Sequence, residues 1–167
     1  MDFPLSYIKY LYHFHVDRDY FECHEVLEEY WKDHGMERNS IWVGLIQLAV
    51  SYYHYRNNNR KGAIKLMNRA LLLLQNSYLE MDRLGIHYPE LIKILKDSHQ
   101  KMRKNQPYKA INFPIKDKKL YILCQSYCNE KSINWGNPDT NTPVQILFKH
   151  KWRRTPNSKK HENKTSV

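Results

Sequence analysis

From Ile41 to Arg56 this chain presents almost no polar face: Ile41, Trp42, Val43, Leu45, Ile46, Leu48, Ala49, Val50, Tyr52 and Tyr53 fall on every side of a helix of that length. A helix that is apolar all round needs other helices around it, so the rest of the chain must supply them. Its boundaries are marked by Asn39 or Ser40 as N-cap and by the turn-forming run Asn57-Asn58-Asn59.

The flanking sequence supplies those neighbours. Pro4 suits a first helical turn, and Leu5, Ile8, Leu11, Tyr12 and His15 repeat at helical spacing as far as Val16. Asp17-Arg18-Asp19 then breaks the pattern. Asp19 followed by Glu22 reads as a capping box opening a second helix over 20–34, stopped by Gly35. A fourth helix is expected over 61–84 with Gly85 as its stop, and a fifth begins at Pro89. Pro107 and Pro114 make 105–116 an extended connection, and Asp117 caps a short helix near 118–130. The expected architecture is all-α: one bundle of about five main helices over 1–104, then an extension over 105–167 ending in an irregular, disordered basic tail. No repeat is visible.

Charge divides the chain. Residues 1–91 carry 10 Lys/Arg against 12 Asp/Glu, whereas 92–119 carry 9 against 2 and 149–167 carry 7 against 1. These two basic blocks predict at most weak, sequence-independent attraction for nucleic acid or another acidic partner. They also fit a solvated helix face and a soluble tail. Tyr52, Tyr53 and Tyr55 beside Arg56 and Arg60 have the groups to stack on nucleobases, but their helical spacing reads as core edge and surface. No apolar run approaches the roughly 20 residues that span a bilayer. The first residues lack the basic start and apolar run of a secretion signal. Three cysteines, Cys23, Cys124 and Cys128, have no framework spacing and fit reduced thiols. A cytoplasmic protein is expected, with oligomeric state open.

Function points to polar residues on apolar faces, since burying a carboxylate or imidazole costs several kcal/mol unless it is paired or ligated. In the second helix His24 and Glu28 stand at i and i+4 on the side that Leu27 and Trp31 would bury. In the third, Gly44, Gln47, Ser51 and His54 form a seam of small and polar residues. A short loop joins the two helices, so packing them antiparallel brings His24 and Glu28 towards Gln47 and His54. Two readings follow. In one, His24, Glu28 and His54 ligate a divalent metal such as zinc or manganese, Glu25 polarises a water, and Gln47, Trp31 and Ser51 line the site. In the other, a non-catalytic binding or scaffold protein keys its helices together through a buried hydrogen-bond network. The first arrangement is similar to His-Glu-x-x-His metalloproteases, but position 28 is Glu, which breaks that signature.

Three segments, Asp19-Tyr-Phe-Glu-Cys-His-Glu-Val-Leu-Glu-Glu-Tyr-Trp31, Gly44-Leu-Ile-Gln-Leu-Ala49 and Arg60-Lys-Gly-Ala63, together resemble the bacterial and archaeal family catalogued as domain of unknown function 309. The resemblance covers roughly residues 5–80, and the extended C-terminal half looks like the form found in Bacillus-type bacteria. It implies a compact all-α fold. It also implies the label sometimes given to the family, predicted metal-dependent hydrolase, inferred from its His-Glu motif. The family's characteristic positions fall on His24, Glu25, Glu28, Trp31, Gly44, Gln47 and Gly62.

Overall fold

The structure, a computed structural model, describes residues 2–129, 135–139 and 143–149; the expected disordered tail lies outside them. It is an all-α bundle of eight α-helices among the described residues: α1 (Leu5–Tyr12), α2 (Tyr20–Asp33), α3 (Ile41–Arg56), α4 (Arg60–Gln75), α5 (Tyr78–Arg83), α6 (Tyr88–Arg103), α7 (Lys118–Asn129) and α8 (Val144–Leu147). None is long and apolar enough to cross a membrane.

The all-round apolar segment is the centre. Helix α3 packs on α2 along one side and α4 along another, α1 lies on α2 and α7, and α6 backs α4. Leu45, Leu48, Ala49 and Tyr52 of α3 have no exposed surface, and Phe113, Leu120 and Cys124 from beyond residue 104 join the same core. The helix ends follow the capping chemistry. Asp19 accepts the Glu22 N–H at 2.9 Å, Asn59 that of Gly62 at 3.1 Å, and Asp117 that of Leu120 at 2.9 Å.

Two elements differ from the sequence reading. The single helix expected over 61–84 is two helices, parted at Asn76 and Ser77. Their side chains turn back to the carbonyls of Leu72 (2.8 Å) and Leu73 (2.9 Å), and the Tyr88 hydroxyl takes that of Gln75 (2.7 Å). Short polar side chains that capture nearby backbone groups offer an alternative to the helix. Helix α1, in turn, continues as a π-helical turn, His13–Asp17, that ends with Arg18 in the left-handed region at φ 54°. That turn directs Phe14, His15 and Val16 into the core.

The tyrosines beside the third helix's basic end are core residues: Tyr52, Tyr53 and Tyr55 are buried. The Tyr52 hydroxyl pairs with Ser98, and Tyr55 donates to the Gln106 carbonyl. None offers a free face to a base. The lysines and arginines of 92–119 are all exposed, some in ion pairs with Asp97, Asp82 and Asp2. Lys149 does not approach that face; it bonds Asp19 and Glu22 at the start of α2.

Gly44 sets the spacing of the central helix pair. A Cβ there would stand 2.8 Å from Leu74 Cδ2 and 3.3 Å from Leu73 Cβ. Gly44→Val is therefore expected to cost about 1–3 kcal/mol by overpacking the contact of α3 with α4. The shift would appear in the urea midpoint, and an unchanged midpoint would show that α4 yields freely.

Candidate metal centre and its groove

The N-cap at Asp19 fixes the rotation of α2, and from there His24 and Glu28 fall one turn apart on the same side. The His24 Nε2 lies 2.9 Å from Glu28 Oε2, and its Nδ1 3.3 Å from Glu25 Oε1. Glu28 uses its second oxygen to hold Lys32 at 2.9 Å. His24, Glu25 and Glu28 can each offer a ligand atom within 4.8 Å of the other two. The three side chains are 27%, 37% and 32% exposed, so this is not a buried network. Ion pairs that open to water contribute roughly 0–1 kcal/mol, too little to lock α2 onto α3.

Beside this cluster runs a shallow groove of about 350 Å³ between α2 and α3, lined by His24, Glu28, Trp31, Arg38, Val43, Ile46 and Gln47. Trp31 is held there by its indole N–H, which donates to the Glu37 carbonyl at 2.7 Å. The Gln47 Oε1 is buried and has no hydrogen-bond partner among the described residues. A buried amide oxygen left unpaired costs about 1–3 kcal/mol, and it belongs to a residue that lines the groove.

The other two residues of the seam lie elsewhere. Ser51 donates to the Ala63 carbonyl at 2.8 Å, and Gly44 meets Leu73 and Leu74, so both face α4 rather than the groove. His54 stands outside the ligand cluster, with its Nδ1 3.1 Å from the Asn59 amide. Phe21 rings against Tyr53, and the Arg56 guanidinium covers Tyr20. The end of α3 is therefore level with the first turn of α2, one turn beyond His24. The structure thus brings Glu25 to His24 and Glu28 and leaves His54 apart.

The sequence reading missed a second polar assembly at the helix break. Arg18 is buried, and its guanidinium donates to the carbonyls of Phe14 and Ile111 at 2.7 Å and of Asn137 at 2.8 Å, and to Asn112 Oδ1 at 2.8 Å. His15 beside it is equally buried. Its Nδ1 sits 2.7 Å from the Leu11 carbonyl, and its Nε2 accepts the Phe113 N–H at 2.7 Å. Its ring stacks on Trp135 with centroids 4.3 Å apart. The signal in the sequence is the charged triplet 17–19 at a break; apart from Phe14, the partners of Arg18 lie 93–119 residues away.

Residues 7–66, which include α2 and α3, match a family described as Domain of unknown function (DUF309). The chain is also 41% identical over 152 residues to the uncharacterized protein YpuF of Bacillus subtilis (strain 168), a match covering 90% of this chain and 87% of that one. No solved structure matches.

Proposed function

Since the chain belongs to the domain-of-unknown-function 309 family, we propose that His24, Glu25 and Glu28 form a divalent-metal site serving hydrolysis in the adjoining groove. The observation that carries this reading is the convergence of three ligand atoms on the open edge of a groove. The donor set fits the ion. One imidazole and two carboxylates without a thiolate suit zinc or manganese, and Gln47, whose side-chain oxygen is unpaired, lines the groove beside them. A bound cation would supply Lewis acidity and an acidified water.

The chain's own residues define the rest. Glu25 takes the third ligand position for which the sequence had suggested His54, and so is not free to act as the base. Lys32 orients Glu28 through its other oxygen, the kind of outer contact that tunes a ligand. Trp31, Val43 and Ile46 give the groove an apolar wall, and Arg38 gives it a positive charge. A substrate with an apolar part and an anionic group matches that lining. The alternative, a purely structural network, is disfavoured by the exposure of all three side chains.

Elemental analysis of protein prepared without a chelating tag, with calorimetric titration of Zn²⁺ and Mn²⁺, tests the site. One equivalent is expected for the wild type and none for His24→Ala. Metal at a hundred times its dissociation constant should stabilise the fold by about 2.7 kcal/mol, and hydrolysis of model esters should disappear with the metal. Metal-free protein whose melting ignores both ions would refute the site. Metal uptake without hydrolysis would leave a binding protein in place of an enzyme.

A further inference from the structure

Arg56, the last residue of α3, points its guanidinium at the segment 135–139, and its side chain is 5% exposed. The Nη1 donates to the Arg18 carbonyl at 2.6 Å and to Asp139 Oδ2 at 3.0 Å. The Nε and Nη2 are buried and have no hydrogen-bond partner among the described residues, and the same holds for Asp139 Oδ1. A guanidinium facing a carboxylate normally makes two parallel bonds. This pair makes one and leaves donors and an acceptor stranded out of water, a state that costs free energy at each unpaired group.

The surroundings are those of an anion site. Asp139 Oδ2 also accepts the Tyr108 hydroxyl at 2.7 Å, and Tyr108 shares a hydrogen bond with the Tyr20 hydroxyl. The Arg56 guanidinium covers the Tyr20 ring at 4.6 Å. Arg18, whose carbonyl touches Arg56, is satisfied by neutral acceptors alone and so adds a second buried positive charge. The Arg56 guanidinium and two phenols thus meet where one side chain supplies a single, poorly fitted carboxylate, and the Arg18 charge is anchored on the same segment through the Asn137 carbonyl.

We infer that Arg56, Tyr20 and Tyr108, beside the buried charge of Arg18, form a phosphate-binding site and that Asp139 is its built-in, displaceable occupant. A tetrahedral dianion has enough oxygens to meet Arg56 Nε and Nη2 and the tyrosine hydroxyls together, and its two charges match two guanidiniums. A planar carboxylate does neither. The ligand is the phosphate group itself, free or as the end of a small phosphomonoester.

Titration of the full chain with inorganic phosphate and with glycerol 3-phosphate, at fixed ionic strength, tests this by calorimetry and by Trp135 fluorescence. Trp135 reports displacement because its stack on His15 belongs to the same segment as Asp139. Asp139→Asn removes the competing charge and should bind phosphate at least tenfold more tightly than the wild type. Arg56→Gln should abolish binding. Should that variant fail to fold, Tyr108→Phe, which loses one hydroxyl, should weaken binding several-fold in its place. The wild type should show a phosphate-dependent emission change that is missing in Trp135→Phe. The tighter of the two probes identifies the free or esterified ligand. Equal affinity of Asp139→Asn and wild type, undiminished binding in folded Arg56→Gln or in Tyr108→Phe, or binding with no change at Trp135 would each overturn the inference.

Discussion

Lowering the pH from 7 to 4 is expected to remove about 3 kcal/mol of stability through His15 alone. Both of its ring nitrogens are committed: the Leu11 carbonyl requires a proton on Nδ1, and the Phe113 N–H requires a lone pair on Nε2. A second proton has nowhere to go. Burial lowers the pKa to about 3, against the Leu11 hydrogen bond and with help from the Arg18 charge. In the unfolded chain it returns to about 6.5. Between those values the unfolded state binds the extra proton, so this stabilisation is complete above about pH 6.5 and is lost as pH falls towards 3. The slope is about 1.4 kcal/mol per pH unit. Urea unfolding of the wild type and His15→Gln at both pH values checks it. The glutamine amide can donate and accept but does not titrate, so the wild type's advantage should shrink by about 3 kcal/mol at pH 4. An advantage that stays constant would rule out the neutral buried imidazole.

Arg18→Met should be strongly destabilising, by about 3 kcal/mol or more, because several buried acceptors lose their donor at once. Methionine keeps much of the volume but withdraws the donors from three carbonyls and one side-chain amide. Those acceptors would then be stranded in the interior. Arg18→Lys keeps the charge without the planar fork, and should recover less than half of the loss. Chemical denaturation of the three proteins measures the series, and a cost below about 1 kcal/mol for Arg18→Met would mean that water replaces the guanidinium easily.

Much of the bundle is legible because its information is local. Asp19 and Gly35 bracket α2, Ser40 opens α3, and the lack of a polar face on α3 dictates its central place. The i, i+4 pair His24 and Glu28 is legible for the same reason. The register between helices is not. Gly44 and Ser51 differ from Gln47 and His54 by about 60° around α3, enough for the first pair to meet α4 while Gln47 lines the groove. His54 could be excluded from the cluster only by knowing that the end of α3 lies beside Tyr20 and Phe21. Glu25 follows His24 by about 100° around α2, yet its carboxylate lies 3.3 Å from His24 Nδ1. The break at Asn76 and Ser77 was hidden because the apolar pattern runs on through Leu84.

The docking of the C-terminal segment on the π-helical turn also bears on the order in which this protein is made. Residue 15 accepts backbone bonds from residues 136 and 137, and Arg18 reaches residues 111, 112 and 137. While a ribosome has released only the first hundred residues, α1 to α6 can collapse, but Arg18 and His15 lack most of their native partners. Closing such distant contacts is slow. The early bundle is therefore expected to stay open at the start of α2 until the last third of the chain emerges, making that corner the place where a chaperone or a stalled intermediate would be found.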